Sequence, residues 1–288
     1  MASIMNIAIT CKKKPGLLFR AIKLLNVRGI TLEDNLRYFI ALLRFSLNFL
    51  VRGSEDKIYA VSYYIPGKYK PLLVKLSELN ESIYLMLRPG SGDAHDLLIG
   101  EYYELFHWFY PNIKDVIFVD VGAHIGGYTV RACKRAKYVV AIEPQREIVN
   151  VLRNNVKINS CNNVQIIEKA VWSERRNIFM KVPKGDEQKA TVSNDGDIMV
   201  EADTLDNIIN SLNIDSIDFL KIDIEGAEAE AIRGMRKTLE ITKYLMIELR
   251  PSTLWLIETL IRNGYEIIDC VDHGAIINFL FLNKNRKI

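Results

Sequence analysis

Residues Ile117 to Gly127 read IFVDVGAHIGG: an apolar run ends in an acid, Asp120, and breaks into a turn carrying Gly122, Gly126 and Gly127. A helical pattern, Tyr128 to Ala136, follows at once. A strand, a glycine turn and a helix N-terminus in direct succession let backbone approach a ligand closely. The order differs from the dinucleotide fingerprint G-x-G-x-x-G. Here the acid precedes the first glycine, where it would repel a pyrophosphate and welcome a cationic amino-acid group.

A second apolar run, Tyr138 to Ile142, ends in Glu143-Pro144. Glu143 falls about 20 residues after the first glycine, where Rossmann-like folds place a carboxylate against the ribose hydroxyls. A glycine turn can be purely structural and a strand-end glutamate can be a solvated charge. Two acids at strand ends with this spacing favour a nucleoside cofactor. S-adenosylmethionine (SAM), with its ammonium and sulfonium groups, fits the pair. Asp120, Gly122, Ala123, Gly126 and Gly127 are then expected around its methionine end. Glu143 and Pro144 are expected at its ribose, and His124 in the turn either contacts the cofactor or packs locally.

From Asp115 onward strand and helix patterns alternate, the signature of a parallel sheet covered on both faces. Ile148, Leu152 and Val156 share one face of a helix predicted over Gln145 to Asn159. Val164 to Ile167 reads as a third strand and Asn177 to Val200 as an inserted hairpin. Asp203 reads as the N-cap of the next helix. Ile217 to Asp223 is the fourth strand, followed by one helix to about Leu239. Tyr244 to Leu249 is the fifth strand, and Ser252 caps a helix ending at Asn263-Gly264. Tyr265 to Val271 and Ile276 to Leu282 are joined by too short a turn for a helix, so they must pair antiparallel. A mostly parallel, seven-stranded α/β sheet that closes with an antiparallel hairpin outlines the class I methyltransferase fold.

The first hundred residues differ. Residues 1–52 carry nine Lys/Arg and two Asp/Glu, a net of +7 against −4 for the rest. Such an arm suits an anionic partner, RNA or a membrane surface, or is simply a solvated basic face. Leu36, Ile40, Leu43, Leu47 and Leu50 predict a helix over Thr31 to Arg52 with a narrow polar stripe of Arg37, Arg44, Asn48 and Arg52. Docking on the catalytic domain is the favoured reading, ahead of a partner or a peripheral membrane contact. Residues 58–65 and 83–88 read as strands of a small sheet. The division expected is an accessory region, 1–110, and a SAM-binding domain, 111–288. The four cysteines lack C-x-x-C spacing, which argues against zinc or a disulfide framework and suits a cytoplasmic location. The N-terminus has no signal-peptide pattern, and no apolar run is long enough to span a bilayer.

The strings DVGAHIGGYT (120–129), AIEPQ (141–145), NNVKIN (154–159), Asp203-Thr204-Leu205-Asp206 and LKIDIEGAE (220–228) resemble the FkbM-type family of SAM-dependent methyltransferases. The resemblance runs from about Leu87 to Leu282, and LKIDIEGAE is its most specific part. It implies a Rossmann-like class I sheet, methylation of hydroxyls on sugars and other metabolites, and adenine contact by backbone near Ala170. It covers none of the first 80 residues.

Lys221 and Asp223 alternate onto one side of the fourth strand. Charges in a buried parallel strand are paired or functional. Asp223 is therefore read as acceptor-orienting group or general base, with Lys221 tuning it and Glu225 beside it; the alternative is a structural ion-pair cluster. Glu248 faces the same cleft on this reading, and Arg250 is available to an anionic substrate. Asp223, Glu225 and Glu248 are hard oxygen ligands, but their spacing does not establish a metal site. The string Asp223-Ile224-Glu225-Gly226 lacks the Asn/Asp-Pro-Pro-aromatic pattern of exocyclic-amine methylation, and no cysteine stands there for base C5 chemistry. The leading expectation is O-methylation of a small-molecule or glycan acceptor. RNA methylation through the basic arm and a non-catalytic, partner-binding SAM-fold module are the rivals.

Overall fold

The glycine turn stands near the middle of an eight-stranded sheet in the computed structural model, which describes residues 10–13, 26–52, 64–67, 70–94, 103–183 and 190–286. The chain starts with two short strands, β1 (Lys12–Lys13) and β2 (Arg28–Gly29), and the helix α1 (Leu32–Arg52). Thr31 caps α1, its Oγ1 accepting the Asp34 N–H at 3.0 Å, and Glu33 and Asp34 set negative charge in the first turn. The hairpin β3 (Leu72–Glu78) and β4 (Glu81–Leu87) completes a three-stranded sheet with β2. β4 is the strand expected at 83–88. Its partner β3 was not foreseen, and residues 58–63 of the other expected strand lie outside those described.

Tyr38, Ala41 and Phe45 of α1 share a buried cluster with Leu72, Val74 and Leu85, and the cluster continues into Ile125, Val130 and Ile148. So the helix docks on the small sheet, and the same cluster reaches the glycine turn and the helices that follow it. On the other side of α1, Leu32, Leu36, Phe39, Leu43 and Leu47 stay exposed. Arg37 corrects the expected polar stripe. It is buried, donating from Nε to Pro66 O and from a terminal nitrogen to Pro71 O, each at 3.0 Å, and lies 3.6 Å from Asp34. The side chains of Asn48 and Arg52 are outside those described.

A π-helical turn, Glu104–Phe109, runs into Tyr110–Asn112 (together α2). Then follow β5 (Ile117–Val121), α3 (Gly127–Ala132), β6 (Tyr138–Ile142), α4 (Arg146–Ile158) and β7 (Val164–Ile167). The inserted hairpin is part of a four-stranded sheet of its own: β8 (Ala170–Val171), β9 (Arg176–Lys181), β10 (Thr191–Val192) and β11 (Ile198–Asp203), ordered β10-β9-β11-β8. The helix α5 (Leu205–Ser211) is capped by Thr204, whose side chain accepts the Asn207 N–H. Asp203, the expected cap, ends β11 and accepts the Thr204 N–H instead.

After β12 (Ile217–Ile222) the single predicted helix is two, α6 (Glu228–Arg233) and α7 (Arg236–Ile241). The break falls at Gly234, where any Cβ would stand 2.2 Å from the Trp172 carbonyl oxygen. After β13 (Thr242–Leu249) comes a tight turn, Pro251–Thr253, in which the Thr253 hydroxyl accepts the Arg250 N–H at 2.9 Å; the next helix starts at Leu256 after Trp255, with no side-chain cap from Ser252. The helix α8 (Leu256–Arg262) leads to the antiparallel pair β14 (Tyr265–Asp272) and β15 (Ile277–Asn283).

The large sheet has the order β1-β14-β15-β13-β12-β5-β6-β7. β5 pairs parallel with β6 and β12, β12 with β13, and β6 with β7, while β15 runs antiparallel to β13 and β14. This is the class I methyltransferase arrangement, with two-residue β1 added at one edge. One face of the sheet packs residues of α5, α6, α7 and α8 against Val119, Leu220 and Ile247. The other packs Leu105, Trp108 and Phe109 of α2 and Tyr128 of α3 against Phe118, Phe219 and Leu280. No helix among the described residues is long and apolar enough to cross a membrane.

The cysteines correct the expectation drawn from their spacing. Cys11 bonds Cys270, and Cys133 bonds Cys161. β1 pairs with Val271 and Asp272, which carries Cys11 to Cys270 across 259 residues of sequence. Sequence spacing cannot show such a pairing, and the argument from cysteines to a reducing compartment falls. Peptide mapping of unreduced protein is expected to recover the Cys11–Cys270 crosslink; alkylated, unlinked peptides would refute it.

Candidate functional site

Gly122 brings two strand ends together. Its φ is +82°, and a Cβ there would lie 1.8 Å from the Asp223 carbonyl oxygen, so only glycine lets the end of β5 touch the end of β12. The N–H groups of Gly122 and Ala123 both donate to Ile142 O at 3.0 Å, fixing the turn to β6. Gly126 (φ +98°) caps α3, of which Gly127 is the first residue, and a Cβ on Gly126 would meet Leu152 at 2.6 Å.

Asp120 is buried below this turn. Its Oδ2 accepts the Thr129 hydroxyl at 2.7 Å, and its Oδ1 lies 3.9 Å from Lys221 Nζ. Glu143 ends up on the other side of the turn, pinned by backbone. One oxygen accepts the His124 N–H at 3.1 Å and the other the Gln145 N–H at 3.0 Å. Burial pushes its carboxyl up, against the pull of His124 and of the two N–H groups. A carboxylate has about four lone-pair sites, so two such bonds leave acceptor capacity on each oxygen. His124 (φ +50°) directs Nε2 to within 3.7 Å of Asp93.

A shallow cleft opens at the carboxyl ends of β5 and β6, lined by Gly122, Ile142, Pro144 and Ala170. Its far wall includes Trp172 and, from the inserted sheet, Ile178, Met180 and Val192. The lining is mainly apolar, with few polar groups, as in small-molecule sites. Among the residues named from sequence, Gly122, Pro144 and Ala170 line this cleft directly; Asp120 and Glu143 do not, though Glu143 stands in the chain between the lining residues Ile142 and Pro144. The wall from the inserted sheet was not foreseen.

Lys221 is buried on β12 between two acids, 3.1 Å from Asp223 Oδ2 and 3.9 Å from Asp120 Oδ1, with its Nζ 5.2 Å from the Tyr128 ring centre. Lys221 and Asp223 thus share one side, next to the glycine turn. Glu225, in a left-handed turn (φ +54°), is ion-paired with Arg250, so the arginine expected to be available to an anionic substrate is engaged by Glu225. Glu228 is buried and accepts the Ile224 and Gly226 N–H groups at 3.3 and 3.1 Å; burial raises its pKa. It fastens the turn. Glu248 is buried at the end of β13, in register with Asn278 of β15. Among the described residues no group of three or more His, Cys, Asp or Glu side chains is placed to hold a metal ion.

Two supports of the site were missed from sequence. Asn155 accepts the Met86 N–H of β4 at 2.7 Å and donates to Ile125 O in the glycine turn at 2.8 Å. Asn159 accepts the Tyr84 N–H at 3.0 Å and donates to its carbonyl. The asparagines of NNVKIN therefore act as a strand edge for β4, on a helix. The second support is Asp93, fully buried and held by Arg88 at 2.6 Å, which reaches His124 from the turn after β4.

A family model described as the methyltransferase FkbM domain matches residues 120–287, more than half of the chain. The chain belongs to the FkbM methyltransferase family. It is 24% identical over 140 residues to the hexuronic acid methyltransferase AglP of Haloferax volcanii, covering 48% of this chain and 58% of that one. It is 34% identical over 61 residues to the 2-O-methyltransferase NoeI of Sinorhizobium fredii, 21% of this chain and 25% of that one. The crystal structure of an FkbM methyltransferase from Methylobacillus flagellatus superposes with a TM-score of 0.46 at 19% identity, over 65% of this chain and 53% of that one. The chain thus spans little more than half of AglP and of the Methylobacillus protein, and a quarter of NoeI. The FkbM match begins at Asp120 and takes in Glu143, Lys221 and Asp223, but leaves out Asp93 and all of α2.

Proposed function

We propose that the chain transfers a methyl group from SAM to a hydroxyl oxygen of a sugar, glycan or other small metabolite. One observation carries this reading: a backbone-pinned Glu143 flanks an apolar cleft whose floor, Gly122, touches Asp223. The residues suit SAM. Glu143 has lone pairs left for the ribose hydroxyls; Ile142, Pro144 and Ala170 offer an apolar bed for adenine; the glycine turn and the negative charge of Asp120 suit the methionine end. The sulfonium of SAM supplies an already activated methyl group. The chain's own tasks are to align the acceptor and to manage its proton. Asp223, steadied by Lys221, is the group for the proton, with Glu225 holding Arg250 in the turn behind it. The two relatives, a hexuronic acid methyltransferase and a 2-O-methyltransferase, agree with an oxygen acceptor on a sugar.

The division at residue 110 is part of the same proposal: residues 1–110 brace the SAM-binding domain, 111–288, through β4 and Asp93. Methylation of RNA is less well supported. Arg37 is spent on carbonyls, and Lys12 pairs with Asp269 at 2.8 Å, so these two basic residues of the arm are engaged within the chain. The deciding experiment incubates the protein with methyl-labelled SAM and fractionated cell extract. Label in a carbohydrate fraction supports the reading, and label only in RNA, steeply reduced by salt, would replace it.

Glu143→Ala is expected to weaken SAM binding about ten- to a hundredfold, the loss of a charge-assisted bond to the ribose. Calorimetry on the folded variant measures this, and unchanged affinity would refute the ribose assignment.

A further inference from the structure

The polar row that begins at Asp223 does not end there. Lys221, Met246 and Leu280 are in register across β12, β13 and β15. Side chains two residues apart share a face, so Asp223, Glu248 and Asn278 form the next row on the same side of the sheet. Neighbouring strands lie about 4.8 Å apart, which sets Asn278 about 10 Å from Asp223. α2 covers this face, and its first residue, Glu104, reaches the row. Glu104 Oε1 accepts the Asn278 amide at 2.9 Å and meets His273 Nε2 at 2.6 Å.

Glu104 and Asn278 are 0% and 1% exposed. Yet Glu104 Oε2 and Asn278 Oδ1 are sealed from solvent with no hydrogen-bond partner among the described residues. Buried polar atoms are nearly always paired, and an exception calls for an explanation. Both atoms are acceptors, so what completes them must donate.

We propose that Glu104, Asn278 and His273, with Glu248, form an outer subsite that holds an uncharged, hydroxyl-bearing part of the acceptor while its reacting hydroxyl lies at Asp223. The proposal rests on the methyl-transfer reading and narrows its substrate class. Hydroxyl groups donate to a carboxylate oxygen and an amide oxygen alike. An anionic group is disfavoured, because Glu104, Glu248 and Asp223 are all carboxylates and Lys221 is already shared by Asp223 and Asp120. The chain is therefore expected to differ from the Haloferax relative in refusing a uronate at this position. The span of the row suits a sugar that carries a further ring or polyol chain.

The test uses the full chain saturated with S-adenosylhomocysteine, with methyl β-D-glucoside and methyl β-D-glucuronide as probes in thermal-shift and calorimetric titrations. The glucoside is expected to raise the melting temperature and the glucuronide to leave it unchanged. Glu104→Gln and the smaller change Asn278→Ser should each weaken glucoside binding about tenfold or more, with S-adenosylhomocysteine affinity changed less than about twofold. That retained affinity certifies the fold, and either variant alone suffices. Equal or better binding of the glucuronide overturns the proposal, as does no response to either sugar or full glucoside binding by the folded variants. If the wild type fails to bind S-adenosylhomocysteine, it is the methyl-transfer reading that falls.

Discussion

Asp223→Asn is expected to lower the rate of methyl transfer by about 10²–10⁴-fold while changing SAM affinity less than about tenfold, the pattern for losing a general base rather than a binding group. The carboxylate sits where β12 meets the glycine turn, its carbonyl against Gly122 and its Oδ2 3.1 Å from Lys221. Asparagine keeps the shape and the contact but can neither take the acceptor's proton nor match the lysine's charge. Label transfer from methyl-labelled SAM, with calorimetry in parallel, separates the two effects. Near-normal turnover in the variant would make the Lys221–Asp223 pair structural. Glu248, one strand over on the same face, would then be the next base to test.

The local parts of this site were legible because they are written in short spacings. β5, the glycine turn and α3 follow one another in sequence, and so do β6 and Glu143. The alternation after Asp115 and the closing antiparallel pair likewise need only local patterns, and together they gave the sheet order its outline. What local pattern cannot hold is a contact across the chain. β3 is an apolar alternation that its pairing with β2 and β4 makes a strand. Cys11 meets Cys270 because β1 joins the sheet edge beside it. Arg37 read as part of a polar face, yet the carbonyls of Pro66 and Pro71 draw it inside. Asp203 lost the cap to Thr204 by one residue, within the uncertainty of any helix boundary. Asn155 and Asn159 stood in plain view within NNVKIN, but their role as a false strand edge requires β4 beside them. Glu104 was hidden most completely, since only α2 lying over β15 turns an ordinary helix glutamate into part of the polar row.

Arg131→Met is expected to cost about 3–5 kcal/mol of stability, the typical penalty for leaving a buried charge without its partner. Arg131 is fully buried on α3. It donates from Nε to Glu78 Oε2 at 2.7 Å, from a terminal nitrogen to Glu78 Oε1 at 3.2 Å, and from the other to Gly127 O at 2.7 Å. Glu78 ends β3, so this pair ties the accessory sheet to the helix that follows the glycine turn. Tyr110 of α2 closes the cluster by donating its hydroxyl to Glu78 Oε2 at 2.7 Å, and burial raises its pKa so that the phenol stays protonated. Methionine fills much of the space but takes both guanidinium hydrogen bonds away from the Glu78 carboxylate. The double change Arg131→Met with Glu78→Met removes both charges and should recover most of the loss, because replacing a buried ion pair by apolar side chains is often neutral or stabilising. Chemical denaturation of the three variants tests the argument through its sign: a double variant less stable than Arg131→Met alone would mean that Glu78 is held by something other than the arginine. If the double variant regains stability but loses SAM affinity, the pair's role lies in placing α3 under the glycine turn, since Arg131 also grips Gly127 O.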